Sequence, residues 1–188
     1  MSRSRTPAGT LAHFAQTEVR RASRTRAPAG GLAITAPLER HRRGSEVLSK
    51  VRYVRRFFPE LENLALTVGL TRSAQGFAEL EGDRLWLNPH RLSLHTIAHE
   101  LTHLLQGRRL VPHGERSCDL FALAREVTLV DALPCYLRVP AKLADERGWL
   151  KPGAAALLHE LAVEAAARRK GGERRYLRWF ESAAERLG

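Results

Sequence analysis

The run Thr96–Leu105, TIAHELTHLL, holds His99, Glu100 and His103 in the order H-E-x-x-H. Positions i and i+4 share one face of a helix, so both imidazoles can reach a single ion. Glu100, beside the first histidine, can reach a water on that ion. Leu94, Ile97, Ala98, Leu101, Leu104 and Leu105 flank these three, so the motif belongs to a helix with a broad apolar surface. The chemistry expected of the set is hydrolysis assisted by zinc. It needs a bound water of pKa about 7, a polarised carbonyl and a carboxylate to move the proton.

Two histidines need a third protein ligand, and the chain offers three places to look. A metzincin pattern requires glycine and histidine at positions 106 and 109, where this chain has Gln106 and Arg109. His113 lies in a Pro/Gly-flanked loop, VPHGE, and could bend back, though nothing around it holds it there. Glu115 opens the next apolar-patterned run, with Asp119 four residues on. A glutamate ligand with a carboxylate one turn later completes a His₂Glu set. It also gives an acceptor for the far N–H of a ligating imidazole. Cys118 is offset from that face and is expected to pack as an apolar residue.

His99-Glu100-x-x-His103 followed by Glu115-x-x-x-Asp119 resembles the gluzincin clan of zinc metallopeptidases. The short interval between the two runs is similar to that of the small minigluzincin domains. Glu115–Ala122, ERSCDLFA, resembles the E-x-x-A-[ND]-x-F-A signature of ImmA/IrrE-type peptidases, although Thr102 stands where that family places glycine. More distantly, the strand, the hairpin and the Asn88-Pro89 step ahead of the helix are similar to SprT-like domains, which take a third histidine instead. The resemblance covers roughly residues 60–135. It implies that His99, His103 and Glu115 bind one Zn²⁺, that Glu100 is the general base and acid, and that Asp119 orients a ligating histidine, most naturally His99. It also implies an exposed strand edge that holds peptide substrate in extended form, for which Arg84–Asn88 is the expected segment. Tyr136, His113 and His95 are the candidates for stabilising the oxyanion.

The elements that must position these residues read as α+β. A short helix is expected near Leu11–Ala22, then a Pro/Gly-punctuated stretch over Ala27–Pro37. Val47, Leu48, Val51, Val54 and Phe58 recur at helical spacing. Leu64–Thr71 reads as a strand, and GFAELE-GD-RLWLN as a hairpin turning at Gly82-Asp83. Helices are expected over Arg91–Gln106, Glu115–Thr128, Ala141–Gly148, Pro152–Lys170 and Glu173–Leu187. The expected architecture is a small antiparallel or mixed sheet whose hairpin packs on the zinc-binding helix and the glutamate helix, with C-terminal helices after them. Three regions follow: a basic, partly disordered segment over 1–43, a metallopeptidase-like core over 44–139 and a helical extension over 140–188.

Composition narrows the remaining classes. With 188 residues, 44% of them hydrophobic and 27% charged, the chain is expected to be globular. No uncharged apolar run approaches the roughly 18 residues that span a bilayer, and the N-terminus lacks the apolar core of a secretory signal. Cys118 and Cys135 make no disulfide framework, so a cytoplasmic protein is expected. The net charge is +11 and the pI near 10.9. Residues 1–60 carry 13 basic and 4 acidic groups, whereas 61–188 carry 18 and 16, so the excess is N-terminal. Two functions remain. The first is a zinc metallopeptidase, an endopeptidase that could be latent, acting on protein or peptide substrates. The second is a nucleic-acid-associated regulator using the basic N-terminal segment and the Arg168–Arg178 cluster, with a latent or degenerate peptidase site.

Overall fold

The computed structural model describes residues 30–187. The helix expected near 11–22 lies outside them. Four short strands form one mixed sheet in the order β1-β2-β4-β3: β1 is Leu32–Ile34, β2 Leu66–Leu70, β3 Gly76–Glu79 and β4 Arg84–Leu87. β1, β2 and β4 run parallel, while β3 is antiparallel to β4. β2 sits between parallel neighbours, and its Leu66–Gly69 run is buried throughout, as a strand covered on both faces must be. β1 is too short for any periodicity to announce it, so the stretch expected to punctuate a basic tail instead supplies the outer strand.

Six helices accompany the sheet: α1 (Ala36–Glu39), α2 (Gly44–Arg55), α3 (Leu94–Gly107), α4 (Glu115–Leu123), α5 (Ala154–Lys170) and α6 (Tyr176–Glu185). Among the described residues the fold is therefore α+β, and none of its helices is long and apolar enough to cross a membrane. Two apolar clusters hold it together. In the first, Val47, Val51 and Val54 of α2 and Ile97, Leu101 and Leu104 of α3 pack with Leu66, Val68, Leu85 and Leu87 of the sheet. In the second, Leu158 and Ala162 of α5 and Phe180 of α6 enclose Leu120 and Leu123. α4 belongs to both, since its Ala122 enters the first cluster. Ser117 of α4 and Tyr176 of α6 add a buried hydroxyl pair at 2.8 Å.

Three sequence expectations change. The helix expected over Ala141–Gly148 is a single 3₁₀ turn, Ala141–Leu143. Asp145 then accepts the amides of Arg147 and Trp149 at 2.9 Å each, and this local bonding competes with helix. α4 ends at Leu123 because Glu126 is extended, at φ −163° and ψ 136°. The hairpin does form, but β4 lies inside the sheet and β3 forms its edge. Arg84–Asn88 is thus not the exposed strand; Gly76–Glu79 is.

Phe180 is fully buried against α4 and α5. Phe180→Ala should destabilise the chain by about 3–5 kcal/mol, read as a lower urea midpoint. A loss below about 1 kcal/mol would mean that the second cluster is not packed as described.

Candidate metal centre

The site is assembled by the reversal from α3 into α4. At the start of α3, Ser93 Oγ accepts the Thr96 amide at 2.9 Å, and the Asp131 carboxylate accepts those of Leu94 and His95 at 2.7 and 3.0 Å. Three otherwise unpaired donors are thereby satisfied. At the other end, the Gln106 amide donates to the carbonyls of Pro112 and Gly114 at 2.6 and 3.0 Å, folding the chain back. Gly114, at φ +106°, starts α4 in a conformation that a side chain would strain. Glu115 therefore opens α4 facing the two histidines of α3. Thr102 bonds the Ala98 carbonyl at 2.8 Å and is fully buried, so a β-branched residue fits where the resembling family has glycine.

Hydrogen-bond accounting decides which ring nitrogens face the site. Asp119 is an acceptor, so His99 Nδ1–H donates to its Oδ1 at 2.8 Å and His95 Nε2–H to the same atom at 3.2 Å. Gln106 already donates through its nitrogen, so its Oε1 accepts from His103 Nδ1–H at 3.1 Å. Each of these two rings is left with an unprotonated Nε2. Both Nε2 atoms point at Glu115 Oε2, at 3.1 Å from His99 and 3.2 Å from His103. With these tautomers three lone pairs converge there, an arrangement that a cation stabilises. Without metal, a proton can serve on His99, whose pKa is raised: burial pushes it down, but Asp119, Glu100 and Glu115 outweigh that. His103 is lowered by burial and by His99.

His99, His103 and Cys118 also lie close enough to hold a metal ion, with one donor atom of each within 4.8 Å of the others. The buried Cys118 Sγ sits 3.2 Å from His103 Nδ1, on the ring edge away from Glu115. Burial pushes this thiol's pKa well up in metal-free protein, whereas a bound ion would itself deprotonate it. The sequence treated Cys118 as offset from the polar face of its helix; what it missed is that His103 reaches across from α3. It also missed Gln106, whose spacing of three residues after His103 was the available signal.

Glu100 turns the opposite way, toward β3. Its Oε2 is buried without a partner, and the Ala78 amide bonds the carboxylate. Burial pushes this carboxyl up to about 7, with His99 opposing and Glu115 reinforcing the shift. A Cβ on Gly76 would lie 3.1 Å from Glu100 Cγ and Oε1, so the strand approaches as closely as glycine permits. Asn88 N–H donates to Gln75 C=O, so by antiparallel alternation Phe77 and Glu79 also pair inward. The backbone groups of Gly76 and Ala78 face the open edge. An open cleft of about 450 Å³ runs between this edge, α3, Glu115 and Tyr136, whose ring stacks on His99 at 5.6 Å. None of its lining residues belongs to α5 or α6, so the C-terminal helices do not cover it.

The structure thus brings His99, Glu100, His103, Glu115, Asp119, His95 and Tyr136 to one cleft. His113 is not there: it is exposed and lines a separate hollow with Arg109, Phe121 and Arg169. No family model, curated protein or solved structure matches this chain.

Asp119 Oδ2 accepts the amides of Tyr136 and Leu137 at 2.6 and 3.3 Å, so its carboxylate joins α3, α4 and the following loop. Burial pushes its pKa up, but the bonds from His95 and His99 prevail and hold it well below the usual range. A depressed folded pKa contributes stability above the unfolded value near 3.9, and that contribution is lost as pH falls below it. In metal-free protein, Asp119→Asn should cost at least about 2 kcal/mol at neutral pH. Its urea midpoint should also fall less steeply than wild type between about pH 5 and 2. Parallel pH profiles would show that this carboxylate is not what acid titrates.

Proposed function

We propose that the chain is a zinc-dependent metallopeptidase, an endopeptidase of the cytoplasm, in which His99, His103 and Glu115 hold Zn²⁺. The observation that carries this is the meeting of two imidazole Nε2 atoms and a carboxylate oxygen beside the unpartnered Glu100 Oε2. Ligand atoms about 2.0–2.2 Å from a tetrahedral zinc lie roughly 3.3–3.6 Å from one another, and the separations of 3.1 and 3.2 Å need only widen by a few tenths of an ångström to reach that spacing. A His₂Glu set leaves one position open, as catalytic rather than structural zinc sites do. Zinc bound there supplies an acidified water and an electrophile for a carbonyl.

The remaining work falls to side chains. Glu100 Oε2, with its pKa near neutrality, takes a proton from the attacking water and returns it to the leaving nitrogen. The outward backbone groups of Gly76 and the Ala78 carbonyl hold an extended substrate along β3, the Ala78 amide being bonded to Glu100. Tyr136 stands in the cleft wall, about half exposed, as the candidate donor to the developing oxyanion. Asp119 fixes the His99 tautomer and ring plane, the role expected of a carboxylate behind a ligating histidine.

A second reading, binding of single-stranded nucleic acid, is favoured by a different place than the sequence suggested. Arg168 pairs with Glu164 and Glu173 and lies over the Trp179 ring at 4.2 Å, and Tyr176 is buried. Arg168 and Tyr176 of that cluster are thus occupied within the fold. By contrast Trp149, at 64% the most exposed large apolar side chain among the described residues, borders a hollow with Arg43, Lys50, His90, Arg91 and Arg147. An exposed indole among cations can stack a base while the cations track phosphates.

Purified protein should contain one zinc per chain. Glu115→Ala should lose it and Cys118→Ala should keep it; the reverse pattern would exchange the two residues' roles. Glu100→Gln should retain zinc and lose roughly 10²–10⁴-fold in peptide hydrolysis, and full activity in that variant would remove Glu100 as the base. For the second reading, affinity for a single-stranded oligonucleotide should fall with salt and drop about tenfold in Trp149→Ala. Binding that ignores both would dismiss it.

A further inference from the structure

Across the Tyr136 ring from the metal cleft lies a second hollow of about 520 Å³, lined by Arg116, Tyr136, Arg138, Arg178 and Glu181. Tyr136 is the wall common to both spaces. Three separate pieces of chain meet here. Arg116 follows Glu115 on α4, Arg138 comes two residues after Tyr136, and Arg178 and Glu181 lie on α6.

Glu181 is already engaged. One of its oxygens pairs with Arg116 Nη2 at 2.6 Å, the other accepts the Arg138 amide at 3.1 Å, and its side chain is only 13% exposed. This carboxylate pins α6 to α4 and to the loop after Tyr136. The guanidinium groups of Arg138 and Arg178 have no carboxylate or carbonyl partner among the described residues, and both side chains reach solvent. The hollow holds three cations against one anion. Two unpaired arginines lining one hollow gain from an anion placed between them. Carboxylate and phosphate oxygens both match a guanidinium fork, and of the two a peptide carries the carboxylate.

We infer that this hollow binds a carboxylate of the substrate, an acidic side chain or the free C terminus, beside the bond to be cut. The inference deepens the peptidase reading and rests on it for what the carboxylate is attached to. The shared wall supports the placement: Tyr136 lines both spaces and stacks on His99 with 5.6 Å between ring centroids, so the hollow adjoins the cleft across one side chain. Positive charge at the mouth also offsets the three carboxylates inside, Glu100, Glu115 and Asp119, which would otherwise repel an acidic peptide.

The test uses fluorescent hexapeptides in which one Glu is moved position by position through a neutral sequence. Each is paired with its Gln counterpart and prepared with a free or an amidated C terminus. Equilibrium binding to zinc-loaded protein is read by anisotropy, and hydrolysis is followed separately. Wild type should bind one Glu position, or the free terminus, about tenfold more tightly than the neutral peptide; the side-chain and terminal arms tell those sources apart. R138Q/R178Q should erase the preference while leaving zinc content and neutral-peptide affinity unchanged. R42Q/R52Q, which removes the same charge from exposed positions in the turn before α2 and on α2 itself, should leave it intact. Equal binding of acidic and neutral peptides by wild type overturns the inference. So does a preference that survives R138Q/R178Q, or one lost equally in R42Q/R52Q. Preferential binding without hydrolysis of any peptide overturns the peptidase reading and leaves the carboxylate site standing.

Discussion

One carboxylate governs the arrangement of this molecule. Asp119 is almost wholly buried and accepts four hydrogen bonds, two from imidazoles of α3 and two from amides of the loop after Pro134. Burying an anion is costly unless its oxygens are satisfied, so the groups that satisfy Asp119 are held in fixed places. His99 is locked as the Nδ1–H tautomer, which turns its lone pair toward Glu115. The loop amides set Tyr136 against the His99 ring. Without this hub, α3 and α4 could still pack through Leu101, Leu104 and Ala122, but the ring edges would be free to turn.

The site lies at a seam between two apolar clusters, and its openness follows from that. The cluster of the sheet, α2 and α3 supports His99, Glu100 and His103 from one side. The cluster of α4, α5 and α6 supports Glu115 and Asp119 from the other. Each side contributes rigid elements, yet the polar groups between them belong to neither interior. Glu115 is nearly half exposed, whereas Glu100, one wall deeper, is nearly dry. Two carboxylates of one cleft thus meet different environments, and burial pushes that of Glu100 toward neutrality.

How far the sequence could be read depends on the range of each contact. The pairing of His99 with His103 is local, set by the pitch of one helix, and so was legible at once. Glu115 and Asp119 required only the next helix and the constraint of a third ligand. The edge strand was not legible. Both halves of the hairpin could be seen, but which one lies outside depends on β2, whose parallel pairing with β4 comes from a segment ahead of the hairpin. Cys118 packs as an apolar residue as expected, but helix geometry says which way it leaves α4 and not that His103 arrives there from α3. Arg138 and Arg178 are forty positions apart, each unremarkable in an arginine-rich chain, and only the docking of α6 on α4 makes them a pair.

The net charge of +11 takes on a different meaning in this light. Total charge says little about any one surface, because most guanidinium groups can be neutralised locally, as Arg168 is by Glu164 and Glu173. What matters is where cations are left without partners. Arg91 and Arg147 beside Trp149 and Arg138 and Arg178 beside Tyr136 have no carboxylate partner among the described residues, while the cleft between β3 and α4 is lined with carboxylates. A substrate approaching that cleft meets a positive rim before a negative floor. The rim attracts an acidic chain at a distance, and the floor repels it at contact unless a metal ion supplies the balancing charge. Opposed potentials separated by one aromatic ring make position, rather than net charge, the quantity that such a site can discriminate.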